Sequence, residues 1–192
     1  MTYVSVVTLV AYGLLIAVLV AVAVKDWRTR RIPNGMVGLL GLLWVVWRCV
    51  LGFAGKHMGL GFWSTLLSPA PEVLGRIGLP IYGVSLSGGV LGALVLGGGM
   101  LVLSAAYELV TKRESFGGGD IKLMAVIGLF LGWERGLVCL LVACVLSVGY
   151  ALVAAARSPR DDQPEGPRDP FLARTMPFAP FIAAGTVVAF LF

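Results

Sequence analysis

The chain has 192 residues, 58% of them hydrophobic and 13% charged, with 15 Lys and Arg against 10 Asp and Glu and a formal net charge of +5. That apolar share exceeds what a soluble core of this length buries, which excludes an ordinary soluble domain and points to a membrane protein. The positive balance matches the usual cytoplasmic bias of such proteins and calls for no nucleic-acid partner.

A bilayer core about 30 Å thick needs roughly 20 apolar residues per helix. Residues 2–24, 77–107, 136–156 and 175–192 carry no charged residue or histidine. In chain order the pattern predicts helices over 3–24, 35–55, 81–107, 116–133, 136–156 and 175–192. The fold class is therefore all-α: one polytopic, membrane-embedded domain over 1–192 with about six transmembrane helices. The first stretch has neither a basic n-region nor a small-residue cleavage motif, so it reads as a permanent helix rather than a signal peptide.

The second helix is uncharged from Ile32 to Trp47 and reaches Gly55 if Arg48 snorkels to the interface. Residues 52–80, punctuated by Pro69, Pro71, Gly75 and Gly78, read as an irregular outer loop. The third stretch contains Gly83, Gly88, Gly89, Gly92, Gly97, Gly98 and Gly99. Four-residue spacings such as Gly88 to Gly92 predict close helix packing. The apolar run Leu123–Trp133 has the length of a re-entrant or buried piece, which would move the basic residues after 156 outside; extended back to Phe116 it can cross, which places Asp120 and Lys122 at membrane depth. Ionisable residues there are expensive and are functional candidates by default.

Residues 157–170, rich in Pro, Asp and Arg, read as a solvated loop. Pro33, Pro177 and Pro180 are expected to start or kink helices at the cytoplasmic rim. Trp27, Trp44, Trp47, Trp63 and Trp133 fall mostly near span ends, as interfacial anchors do. Cys49, Cys139 and Cys144 lie in apolar stretches without the paired spacing of a zinc or dithiol site, and are expected to be buried thiols.

With six spans, alternate loops share a side. Lys25, Arg28, Arg30, Arg31, Lys112, Arg113, Lys122, Arg157, Arg160, Arg168 and Arg174 fall on one side; Lys56, Arg76 and Arg135 fall on the other. The positive-inside rule makes the first side cytoplasmic and puts the N-terminus outside.

Two acids stand apart from the loop carboxylates. Asp26 follows the first span in Lys25-Asp26-Trp27-Arg28-Thr29-Arg30-Arg31-Ile32-Pro33-Asn34. Asp120 closes Phe116-Gly117-Gly118-Gly119-Asp120 and opens the fourth helix, on the same face of the membrane. Glycines ahead of an acid let another backbone lie close to the carboxylate, as cleavage of an extended peptide requires. Each acid taken singly also has a structural role open to it: Asp120 as a helix cap or dipole partner, Asp26 as a neutraliser of nearby arginines.

Converging carboxylates cannot both ionise easily, so they share a proton and divide the work of general base and general acid. Such chemistry needs no metal and no cofactor. The one histidine, His57, lies in the outer loop, which disfavours a serine–histidine triad or a histidine-ligated metal site.

At these residues the sequence resembles the prepilin peptidase family of membrane aspartyl proteases. The resemblance rests on the block from Asp26 to Asn34, on Arg113-Glu114-Ser115-Phe116-Gly117-Gly118-Gly119-Asp120-Ile121-Lys122-Leu123 continuing to Gly128 and Gly132-Trp133, and on Met176-Pro177-Phe178-Ala179-Pro180-Phe181. The second is the family's Gly-x-Gly-Asp (GxGD) block.

The resemblance implies that Asp26 and Asp120 are the catalytic pair and that Gly117 and Gly119 are the motif glycines. It implies an aspartic endopeptidase in the inner (plasma) membrane with its active site facing the cytoplasm. The implied partners are type IV prepilins, pseudopilins or archaellin-like proteins and the lipid bilayer, with cleavage after a glycine that ends a short basic leader and precedes an apolar helix. Lys122, two residues past Asp120, is read from its position as a motif-supporting residue with two roles open to it: acting on that acid or a substrate carboxylate, or simply snorkelling to the interface.

Many bacterial members add a cysteine-paired cytoplasmic domain and methylate the new N-terminus. Neither the domain nor a cysteine pair is seen here, so the resemblance is to the short forms of tight-adherence pilus systems and preflagellin peptidases, and methyltransferase activity is not expected from it.

Two other readings are a small ion-coupled transporter with Asp120 in an intramembrane site and a non-catalytic pilus or secretion assembly factor. A metal-dependent phosphotransferase needs more clustered acids than are present.

Overall fold

The computed structural model describes residues 3–57, 63, 67, 84–112, 117–157 and 177–191. Most of the expected outer loop, residues 81–83, the stretch Arg113–Phe116 and residues 158–176, including Met176, lie outside the described residues. Every described element is helical. These are α1 (Tyr3–Thr29), α2 (Asn34–His57), α3 (Leu86–Ala93), a π-helical segment (Leu94–Gly98), α4 (Gly99–Thr111), α5 (Gly118–Arg157) and α6 (Ala179–Ala189).

Among the described residues, four stretches are long and apolar enough to cross a membrane: Val6–Thr29, Asn34–Ala54, Leu86–Val110 and Gly118–Ala154. Helix α6 is apolar but shorter. Large apolar side chains such as Leu14, Val20, Leu42, Val102 and Leu141 stand exposed around the bundle, as a lipid-facing surface requires.

Helix α1 runs past the expected end at residue 24, so Asp26 sits in its last turns rather than beyond it. Its inward stripe is Ala11, Leu15, Leu19, Val22 and Asp26, all buried and spaced at helical intervals. Arg30 ends the helix in the left-handed region (φ 51°), its amide donating to the Asp26 carbonyl at 2.7 Å. Beyond it Pro33 accepts from the amides of Met36 and Val37 and starts α2.

The inward stripe of α2 is Val37, Leu40, Trp44, Trp47 and Leu51, and Arg48 is buried with them at 2% exposure. Arg48 thus does not snorkel: its Nη1 donates to the Val84 carbonyl (3.1 Å) and its guanidinium lies 5.9 Å from the Trp47 ring centroid. Trp44 and Trp47 are likewise core residues rather than interfacial anchors. Trp47 stacks on Phe130 with ring centroids 6.0 Å apart. Trp27, Trp63 and Trp133 are exposed. Of the three free cysteines, Cys139 is buried but Cys49 and Cys144 are exposed, so the expectation of buried thiols holds for one.

Helix α5 is the central element, packing on α2, α3, the π segment and α6, while α1 packs on α2 and α6. Leu123, Met124, Ile127 and Phe130 of α5 are completely buried. The helix breaks at Gly132 (φ 73°, ψ −175°), a conformation all but reserved for glycine. The expected fourth and fifth helices (116–133 and 136–156) both fall within α5, and the break lies inside the first of them.

Helix α3 crosses α5 where Gly92 and Gly128 meet backbone to backbone. A Cβ on Gly89 would lie 2.6 Å from the Leu129 carbonyl oxygen, and one on Gly97 would lie 2.5 Å from the Ala125 Cβ. The packing glycines are therefore 89, 92 and 97. Gly88 instead faces Ser85, the side-chain cap of α3, and Gly98 and Gly99 face open space. The π segment supplies the extra residue that keeps Gly97 on the face of Gly92.

Candidate active site

The three sequence blocks come together at one end of the bundle, each contributing a different helix terminus. The first supplies the C-terminal end of α1 and the turn into α2. Lys25, Arg28, Arg30 and Arg31 are exposed there, whereas Asp26 is buried at 5% exposure. The position of Asp26 on the apolar stripe of α1 dictates this inward direction.

A buried carboxylate needs hydrogen-bond donors. Asp26 finds them at the start of α6, where the Ala179 amide donates to its Oδ2 at 3.1 Å and the Phe178 amide donates as well. The first amides of a helix have no partner within it and carry the positive end of its dipole, so a carboxylate is well matched to them. Pro180 in the first turn has no amide to satisfy, and the Phe178 carbonyl accepts from Phe181 and Ile182 to begin the helical ladder.

The second block supplies the start of α5. The amides of Asp120 and Ile121 donate to the Gly117 carbonyl, at 2.9 and 3.4 Å. Asp120 lies in the first turn, partly exposed, with its carboxylate folded back over Gly117. A Cβ at Gly117 would lie 3.1 Å from Asp120 Oδ2.

At Gly119 a Cβ would lie 2.9 Å from the Cβ of Ile32, so this glycine lets the α1–α2 turn sit against the start of α5. Gly118 faces open space. Two of the three consecutive glycines thus have close neighbours, in the pattern Gly-x-Gly. The approach brings Asp120 near enough to Asp26 for their charges to interact.

Lys122 is exposed, and its Nζ donates to Asn34 Oδ1 at 3.2 Å, tying α5 to the first residue of α2. Its amine is thereby occupied at the α2 terminus. Trp27, Tyr150 and Phe181 make an edge-to-face and tilted aromatic chain beside Asp26, with centroid separations of 6.1 and 5.7 Å. Among the described residues no three His, Cys, Asp or Glu side chains gather as ligands of one metal ion.

All five predicted site residues lie at this end. The Phe178 and Ala179 amides that hold Asp26 leave no side-chain mark in the sequence; the Pro177-Phe178-Ala179-Pro180 block is the available signal.

The sequence profile of the type IV leader peptidase family matches residues 13–152. The chain is 29% identical over 185 residues to the prepilin leader peptidase/N-methyltransferase of Burkholderia pseudomallei (strain 1026b), covering 96% of this chain and 46% of that protein. It is 31% identical over 113 residues to the protein of the same name from Aeromonas hydrophila, covering 56% of this chain and 34% of that one. With the Escherichia coli (strain K12) protein of that name it shares 31% identity over 80 residues, or 42% of this chain and 31% of the relative. The chain thus spans less than half the length of these relatives. No solved structure gives a significant match.

Proposed function

As this chain belongs to the type IV leader peptidase family, we propose that it is a membrane-embedded aspartic endopeptidase that removes the short basic leader from type IV prepilin-like proteins. Asp26 and Asp120 are its catalytic pair, with Gly117 and Gly119 shaping the approach to Asp120. The observation that carries this reading is their convergence: a buried Asp26 held by the amides of α6, with Asp120 brought within charge range of it by the Gly119–Ile32 contact.

One carboxylate, ionised, takes a proton from water as the water attacks the carbonyl carbon of the leader glycine. The other, protonated, hydrogen-bonds the developing oxyanion and then gives its proton to the leaving amine. The backbone amides directed at Asp26 hold its carboxylate in a fixed orientation. Lys122 acts through Asn34 as a positioning residue for the start of α5.

If each arm of α5 makes its own crossing at Gly132, the chain crosses the membrane six times. The N-terminus is then outside and the pair faces the cytoplasm, by the distribution of Lys and Arg. The exposed basic residues around Asp26 support that orientation. The membrane is the inner (plasma) membrane, and the substrate is a prepilin, pseudopilin or archaellin-like protein.

The test is mass spectrometry of a panel of prepilin-like substrates co-expressed with this protein and with Asp26→Asn and Asp120→Asn at matched expression. Cleavage after the leader glycine, lost in both variants, is expected. Cleavage that survives either change overturns the catalytic pair, and a wild type that cuts nothing overturns the protease.

A further inference from the structure

A second feature begins a turn away from the Asp26–Ala179 contact. Helices α1 and α6 pack together, and between them lies an apolar cavity of about 170 Å³ lined by Ile16, Leu19, Val20, Ala183, Ala184 and Val187. At about 1.5 Å per residue these positions lie roughly 6 to 15 Å along the helix axes from the Asp26–Ala179 contact. The cavity is partly open to the surroundings, since Val20 and Val187 are 53% and 48% exposed. Ala183 and Ala184 keep its α6 side shallow, as small residues do where another helix is to approach closely.

A polypeptide positioned at the carboxylate pair has two ways out. One passes the exposed Lys25, Arg28, Arg30 and Arg31 into water. The other follows the α1–α6 groove into the hydrocarbon. Only a helix satisfies its own backbone there, and the uncharged, wholly apolar lining accepts only apolar side chains.

We propose that this groove is the docking site for the substrate's own apolar helix, the segment directly following the scissile bond. The inference rests on the protease reading above and adds where the retained part of the substrate binds. At helical rise, residues roughly four to ten beyond the cut face the groove. They insert side chains between Val20 and Val187 in the manner of a helix seated in a groove. Binding energy gathered here, away from the reacting atoms, positions the scissile bond at the carboxylates.

The experiment uses the full chain in membranes, with two substrates: a full-length prepilin and a short peptide that ends three residues past the cut. Ala184→Trp, which fills the groove, is compared with Val102→Trp on the lipid-facing side of α4, where Val102 is 64% exposed. The expected result is a KM for the long substrate raised about tenfold by Ala184→Trp relative to the short one, with Val102→Trp leaving both unchanged. Independently, a photo-crosslinking residue at position 20 or 187 should capture the prepilin at residues four to ten past the cut, and one at position 102 should not.

Equal effects on both substrates, or crosslinks only to lipid or to a second copy of the chain, overturn the docking site while leaving the protease intact. A wild type that cuts neither substrate overturns the protease reading and the docking site with it.

Discussion

The Ala179 amide and the Asp26 carboxylate meet at 3.1 Å across 153 positions of sequence. The contact joins the end of α1 to the start of α6. It gives a buried acid the donors that its burial demands, and it gives a helix terminus the acceptor it lacks. Asp26 therefore has a structural duty separable from any chemical one.

Substitutions at Asp26 separate the two duties. Asp26→Asn keeps an oxygen acceptor and should lower stability by less than about 1 kcal/mol while abolishing cleavage. Asp26→Ala leaves the α6 amides unsatisfied and should cost about 1–3 kcal/mol. Melting temperatures in detergent, measured beside cleavage, check this; equal stability of the two variants would show that the α6 contact contributes little.

The motif glycines should differ sharply among themselves. A methyl at Gly119 pushes on Ile32 close to its backbone, where it cannot swing away, so Gly119→Ala should cost about 1–3 kcal/mol and displace Asp120. Gly118→Ala points into open space and should be neutral or stabilise by about 0.5 kcal/mol through lost unfolded-state freedom. Cleavage assays on both should show at least a tenfold loss for the first and near-normal activity for the second.

Lys122 tests whether its charge or its hydrogen bond matters. Lys122→Gln still reaches toward Asn34 and should retain cleavage within about threefold, with stability within about 0.5 kcal/mol. A hundredfold fall in kcat at unchanged stability would instead place the ammonium in the chemistry.

The stretch from α3 through the π segment into α4, and the face of α5 it crosses, should tolerate change at outward glycines and not at inward ones. Gly92→Ala and Gly128→Ala drive a methyl into the facing backbone and should cost more than about 3 kcal/mol or prevent folding. Gly98→Ala and Gly99→Ala should be neutral to stabilising, because alanine is the better helix former by about 1 kcal/mol. Yields of folded protein and melting temperatures distinguish the two pairs.

Asp26 and Asp120 stand out in the sequence because charges are scarce in so apolar a chain, and the glycines before Asp120 mark the close approach of Gly119 to Ile32. The partner of Asp26 does not stand out, since a main-chain amide leaves no side-chain signal. The four-residue glycine spacing pointed to Gly88, whereas Gly89 and Gly92 share one face of α3 three residues apart, and the π segment beyond them shifts the register by one residue so that Gly97 joins the contact. Arg48, Trp44 and Trp47 were misread because hydropathy reports the length of a span and not its face. The intervals between Val37, Leu40, Trp44, Trp47 and Leu51 do report the face, and they place Arg48 beside the inward stripe.

The Asp26–Ala179 contact also sets a clock on synthesis. The ribosome makes Asp26 early and Ala179 late, so the acid enters the membrane long before its donors exist. On the proposed function, a nascent chain stays inert until α6 has been translated and inserted, and a partly built enzyme cannot cut the precursors inserting alongside it.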